Sequence, residues 1–283
     1  VSQPLYKTPR AVCKENTDYD IFDLEKAEAE ATARTNYVPA VSLPAYNALM
    51  KGFPQGQTAE GECYIDNWMD HYKVGFRKMI NITQERSLVC AILPPKSAHI
   101  HGIISVVFRE LVDVVDLTSL CSSLVMDFYM KTMGASNLQP TRMEAFPMGD
   151  DERFRNALRA RTLRLNCVTQ RYVPLWEELW QADFRQEAWS LEDERLSPWH
   201  TLKEKWEWAI PLRNAFERRM ALVEIDVLAA MMLGLSLDDL LLMYELQFPV
   251  LQKKENDTWY DRHGRVAVSY THLRAHETRH DLV

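Results

Sequence analysis

Glycine is scarce. There are nine in 283 residues, about half the usual share of ~7%, and no two are separated by a single residue. Closely spaced glycines let backbone N–H groups approach a phosphate, and without them the chain has no loop for a nucleotide or for S-adenosylmethionine. No serine stands in a G-x-S-x-G elbow, and no Asp or Glu is followed two positions later by Lys, the end of a common metal-dependent nuclease site. The chain therefore contains no complete catalytic set. The five cysteines, Cys13, Cys63, Cys90, Cys121 and Cys167, are odd in number and lack a C-x-x-C pair, which argues against a disulfide framework or a zinc ribbon and favours reduced thiols in a cytoplasm. Long apolar runs are missing too. The richest stretch, Leu228 to Leu246, is interrupted by Asp238, Asp239 and Glu245, so nothing approaches the ~18–20 uninterrupted apolar residues of a membrane span. The composition is otherwise that of a folded soluble protein, 47% hydrophobic and 26% charged with a net charge of −7.

The pattern along the chain predicts an α/β (mixed α+β) unit followed by a mainly α-helical domain. Residues 1–59 read as a connecting segment with a short Ala- and Glu-rich helix over Asp23–Arg34. Residues 60–148 read as the α/β unit. In it Tyr64, Trp68, Tyr72, Phe76 and Met79 recur at helical spacing, Ser87–Leu93 and Ile103–Phe108 are short apolar runs bounded by Pro and Gly, and Leu117–Lys131 returns to helical spacing before Gly134. Residues 149–266 read as helix throughout. A long helix is expected from Asp150 to about Tyr172, an apolar-faced one from Ala209 to Leu233, and an N-cap with acids behind it at Ser236–Asp239. Six of the eight tryptophans lie between Trp176 and Trp208 and read as core more readily than as a base-stacking platform.

Two stretches carry polar chemistry. Between Arg153 and Arg171 there are six arginines and no acid. The planar guanidinium fork suits phosphate, so Arg153, Arg155, Arg159, Arg161 and Arg164 are candidates for phosphate contacts; the alternative is that this helix pairs with the acidic stretch 177–194 after it. Lys131-Thr-Met-Gly-Ala-Ser-Asn-Leu-Gln-Pro-Thr-Arg142 gathers side chains that read base edges or hold phosphates, and from it Lys131, Ser136, Asn137 and Arg142 are candidates. An ordinary polar loop is the other reading. His99 and His101 flank a strand start and suit structural roles better than metal ligation. His276-Glu-Thr-Arg-His280 matches H-E-x-x-H with His272 one turn earlier, but a zinc site needs a third ligand and a scaffold. No metal site and no catalytic residue is assigned.

Several strings together resemble one family. Ala91-Ile-Leu-Pro-Pro-Lys-Ser-Ala-His-Ile100, Ser122-Ser-Leu-Val-Met-Asp-Phe-Tyr-Met-Lys131, Pro140-Thr-Arg-Met-Glu-Ala-Phe-Pro147, Leu163-Arg-Leu-Asn-Cys-Val-Thr169, Leu175-Trp-Glu-Glu178, Leu246-Gln-Phe-Pro-Val-Leu251 and Thr258-Trp-Tyr-Asp-Arg-His-Gly-Arg265 resemble, in this order, the target-recognition region of large bacterial DNA methyltransferases. These belong to restriction–modification and related phage-defence systems, and the likeness covers most of residues 35–266. It implies site-specific recognition of double-stranded DNA for an adenine-N6 enzyme that uses S-adenosylmethionine, with the methyltransferase domain upstream in the same polypeptide. The family's Asn/Asp-Pro-Pro-aromatic motif holds a flipped adenine. The one Pro-Pro here, in Leu93-Pro94-Pro95-Lys96, has neither the polar partner nor the aromatic, so this part alone is expected to be inactive and to bind no cofactor. Val268–Val283 resembles a translated sequencing-adapter tail, and residues 267–283 are set aside as artefactual or disordered. A binding or scaffolding module without nucleic-acid activity is the competing expectation.

Overall fold

A computed structural model describes residues 6–9, 19–32, 40–51, 67–134, 136–149 and 151–269. Two short strands, β1 (Tyr6–Pro9) and β2 (Tyr19–Phe22), pair antiparallel, and a helix, α1, covers Leu43–Lys51. Strands β3 (Lys73–Arg77), β4 (Cys90–Leu93) and β5 (Ile103–Val107) form an antiparallel sheet in the order β4-β3-β5. Helices α2 (Leu111–Cys121), α3 (Leu124–Thr132) and the single turn α4 (Pro140–Met143) follow. The rest is α5 (Glu152–Asn166), α6 (Val173–Glu178), α7 (Ala215–Met232), α8 (Leu237–Gln247), α9 (Pro249–Asp257) and a closing hairpin of β6 (Thr258–Tyr260) and β7 (Val266–Ser269). The order is the expected one, a mixed α/β unit and then a helical part.

One core runs through both. Val74, Phe76, Ile92, Val114, Leu120 and Met126 belong to the same buried cluster as Leu163, Trp176, Leu212 and Ile225, so the expected boundary between residues 148 and 149 crosses packed side chains. The expected limit at residue 266 also falls inside a strand, because β7 runs from Val266 to Ser269.

The amphipathic helix expected over Tyr64–Met79 is not formed in its described part. Asn67 caps a single 3-10 turn, Trp68–Asp70, by accepting the Met69 N–H at 3.1 Å, and the chain then enters β3. Tyr72 and Phe76 satisfy a period of two as well as a period of four. The strand wins because it is central, hydrogen-bonded on both sides and buried from Lys73 through Phe76. The helix expected over Asp23–Arg34 is likewise a series of turns across Asp23–Thr32, and Arg34 lies outside the described residues. Its carbonyls serve distant donors: Arg213 Nη1 donates to Leu24 O at 2.9 Å, Trp208 Nε1 to Ala27 O at 2.8 Å and Gln170 N to Ala29 O at 2.8 Å. Those bonds replace the i→i−4 ladder a helix would need.

The expected Leu117–Lys131 helix is two helices. Ser123 turns extended and accepts the Met126 N–H at 3.3 Å, capping α3 and breaking the chain from α2. The long helix expected from Asp150 stops at Asn166, with Asp151 as its cap. Between Leu179 and Asn214 helix is replaced by 3-10 turns and irregular chain wrapped on aromatics. Trp176 and Trp199 are buried there, and the indoles of Trp176, Trp189 and Trp206 donate to Lys203 O, Ser197 O and Cys167 O at 2.8–3.0 Å. Trp176, Trp189, Trp199 and Trp206 are therefore core or packed on it. Helix α8 begins in a full capping box between Ser236 and Asp239, at the expected place.

Two carboxylates hold the loop between β3 and β4. Asp127 of α3 accepts Ser87 N on both oxygens, at 3.0 and 2.9 Å, and Leu88 N at 2.9 Å. Asp226 of α7 receives Arg86 Nη2 at 2.7 Å and Leu124 N at 2.6 Å. Burial is the larger influence on Asp127 and raises its pKa, against the lowering by Arg86 and by those N–H bonds.

Candidate nucleic-acid interface

The arginines of α5 are mostly spent inside the molecule. Arg155 Nη1 and Arg159, through Nε and Nη2, converge on Asp116 of α2 at 2.6–2.9 Å, and Arg155 also donates to Gly149 O. Arg161 donates to Glu224 and Glu187 at 2.6 Å each and to the carbonyls of Ala157 and Ala188, with its guanidinium 4.9 Å from the Trp199 ring centre. Arg164 lies between Trp189 and Trp199 and donates to Ile210 O and Ser197 Oγ. Burial brings its pKa down to about 10. The phosphate contacts expected of Arg155, Arg159, Arg161 and Arg164 are therefore corrected. Reaching a duplex would strand Asp116 and Glu224, both buried, and uncompensated buried charge is expensive. Of the acidic stretch after the helix, Glu187 is the residue that pairs; Asp116 of α2 and Glu224 of α7 supply the other distant partners, and Glu152 on α5 itself pairs with Arg155 at 2.8 Å. Arg153 alone of the five is exposed, and it holds Asp151 in a two-pronged pair.

Lys131 is corrected in the same way. It is 7% exposed, donates to Gln84 O at 3.3 Å and Gln247 O at 3.1 Å, and lies 4.2 Å from the Phe248 ring centre. Burial lowers its pKa, with the charge of Asp127 acting the other way. It ties the β3–β4 loop to the end of α8.

The rest of the expected loop is placed differently. Beyond β3, Lys78–Ile80 continues as an extended segment between two others. Lys78 N donates to Gly102 O at 2.9 Å on one side; on the other, Leu138 N donates to Lys78 O at 2.8 Å and Ile80 N to Ser136 O at 2.9 Å, with Met79 bridged to Asn137. Three loops thus lie side by side at strand spacing, ~4.8 Å apart. Ser136 is exposed and Asn137 half-buried beside Lys78, whose amine contacts His101 Nε2. Gly134, at φ 61°, turns the chain after α3 toward this edge. Arg142, half-buried on α4, has no ion-pair partner among the described residues. Met79, Ile82, Ile100 and Met133 stand around the same loops, 43–68% exposed. Residues 78–84, 94–102 and 131–143 contain no acid, so this edge is cationic in a chain of net charge −7.

Lys78 is not among the residues singled out from the sequence, where Met79 reads as part of a helix and His101 as structural. Their adjacency to Ser136 and Asn137 comes from backbone pairing between distant segments, which no local pattern announces. His99 precedes β5, and its Nε2 and Ser105 Oγ, on the middle residue of that strand, share a hydrogen bond of 2.8 Å. Cys90, Cys121 and Cys167 are free and buried, and burial raises all three thiol pKa values. His272, His276, Glu277 and His280, like Cys13 and Cys63, lie outside the described residues. Among the described residues no group of three His, Cys, Asp or Glu side chains could hold a metal, and no helix is long and apolar enough to cross a membrane. Comparison with protein-family models, with curated proteins and with solved structures finds no match to this chain.

Proposed function

We propose that the chain is the DNA-recognition part of a site-specific adenine-N6 methyltransferase of a restriction–modification or phage-defence system. On this reading the duplex meets the three-loop edge, with Lys78, His101 and Arg142 on phosphates and Ser136 and Asn137 at base edges. The acid-free convergence of the three loops carries the reading; the methyltransferase class rests on the family resemblance, and places the S-adenosylmethionine-binding domain before Val1. Arg153 is the one arginine of α5 left to reach a phosphate.

Fluorescence anisotropy on a labelled duplex between 50 and 200 mM salt tests the interface, a range over which phosphate contacts dominate affinity. In Lys78→Ala/Arg142→Ala the slope of log K against log salt is expected to fall by about 2. An unchanged slope and affinity would remove these residues from the interface. A coding sequence upstream of Val1 without a Gly loop and an Asn-Pro-Pro-aromatic motif would remove the methyltransferase class.

One observation favours the second reading, a protein-binding or scaffolding module without nucleic-acid activity. Helix α8 leaves Leu237, Leu241, Leu242 and Leu246 47–65% exposed, a contiguous apolar stripe turned to solvent. Duplex binding absent even at 50 mM salt would favour it.

A further inference from the structure

A lysine whose amine has no hydrogen-bond partner lies inside the sheet unit. Lys73, the first residue of β3, is fully buried, and its amine makes no hydrogen bond. Lysine offers three N–H donors, and buried ammonium groups are ordinarily paired. Here the amine has only the face of Trp68, 4.4 Å from the ring centre. The carboxylate that acts on it, Asp70, is already engaged: Lys96 pairs with one oxygen and Asn67 Nδ2 donates to the other at 2.9 Å.

Around Lys73 lie Gly75, Leu93, Ser105, His99 and Trp68. Gly75, two residues on and on the same face of the strand, stands opposite Ser105 of β5 in register. It carries no side chain, and Leu93 fills the space above it, where an added Cβ would meet Leu93 Cδ1 at 2.7 Å. Ser105 Oγ and His99 Nε2 are 2.8 Å apart. His99 faces Trp68 with ring centres 6.1 Å apart and planes tilted by 55°. Burial lowers the pKa of His99, and the Lys73 charge lowers it further. Trp68, His99 and Ser105 are each partly exposed, whereas the amine is covered, so a ligand meets it when the Trp68 ring swings aside.

We propose that Lys73, His99 and Ser105 form a binding site for a small oxyanion, inorganic phosphate or a phosphomonoester, beneath Trp68. The anion takes the ammonium donors of Lys73 and the hydroxyl of Ser105, and its charge draws a proton onto His99, so three donors close on one phosphate group. Trp68 moves from the amine toward the ligand. His99 stands in the 94–102 loop that also borders the three-loop edge, but the oxyanion proposal does not depend on the DNA reading.

Calorimetric titration with inorganic phosphate at pH 7.5, alongside tryptophan fluorescence, tests it. Binding is expected in the wild type and is weakened about tenfold or more in Lys73→Met, the loss of one charged donor. Ser105→Ala weakens it severalfold, and the fluorescence change disappears in Trp68→Phe. No heat and no fluorescence change at about 20 mM phosphate, a concentration that would reveal even millimolar affinity, overturns the proposal. So does equal affinity in wild type and Lys73→Met. Should Lys73→Met fail to fold, His99→Asn/Ser105→Ala, at two half-buried positions, decides the question: unchanged phosphate binding in that variant overturns the site.

Discussion

Replacing Arg161 separates a structural arginine from a DNA-binding one. Its side chain is 5% exposed and makes four hydrogen bonds, two of them to carboxylates. In Arg161→Met the methylene stem survives, but Glu224, 6% exposed, keeps only the Ser190 N–H at 2.6 Å, and its negative charge is left without a cation. Glu187, at 22% exposed, turns to water. Breaking a buried pair in this way costs about 3–5 kcal/mol, and at ~2–4 °C per kcal/mol for a chain of this size the melting temperature should fall by about 10 °C. Urea unfolding followed by tryptophan emission measures the loss, since the guanidinium lies on Trp199. Glu224→Gln in the same chain removes the stranded charge while retaining an oxygen for Ser190, and should restore ~2 kcal/mol. DNA affinity, measured where both forms are folded, should not change. Stability within ~0.5 kcal/mol of wild type, the size of a neutral surface substitution, together with weakened DNA binding would refute this assignment and return Arg161 to the interface.

Two further outcomes are expected. The pKa of Lys73 is brought by burial from 10.5 to about 8; between those values the unfolded chain binds more protons than the folded one, so stability rises with pH from about 8 to 10.5 and is lower below that window, by up to ~3 kcal/mol. Urea midpoints across this range should show the rise in wild type and lack it in Lys73→Met. Gly149→Ala places a Cβ 2.2 Å from Met232 Cγ, an overlap expected to cost about 1–3 kcal/mol in urea unfolding; adding Met232→Ala should relieve the clash, and a single variant as stable as wild type would show that Met232 swings aside freely.

The elements legible in the sequence were those whose own residues decide them. Cys90–Leu93 and Ile103–Val107 are β-branched or apolar runs stopped by Pro and Gly, and Ser236 with Asp239 is a local cap. Tyr72 and Phe76 misled because spacing by four is also spacing by two, and the choice lay with β4 and β5, which pair on either side. The arginines of α5 were visible as a cationic run, but Asp116 and Glu224, which neutralise it, lie on α2 and α7. Charge within a window cannot report a partner brought in by tertiary packing. The cationic edge was legible by half: Ser136, Asn137 and Arg142 share one loop, whereas Lys78 and His101 join it only through backbone bonds between distant segments.

Asp226 acts as a common fastening for parts that otherwise have little reason to move together. Its two oxygens restrain the guanidinium of Arg86 in the β3–β4 loop and the first amide of α3, the helix that leads into the 133–139 loop. Loosening that carboxylate would release the β3–β4 loop and the start of α3 at once, and Asp127 of α3 holds the amides of Ser87 and Leu88, so the amides of residues 87, 88 and 124 should exchange with solvent as one cooperative unit rather than fraying independently.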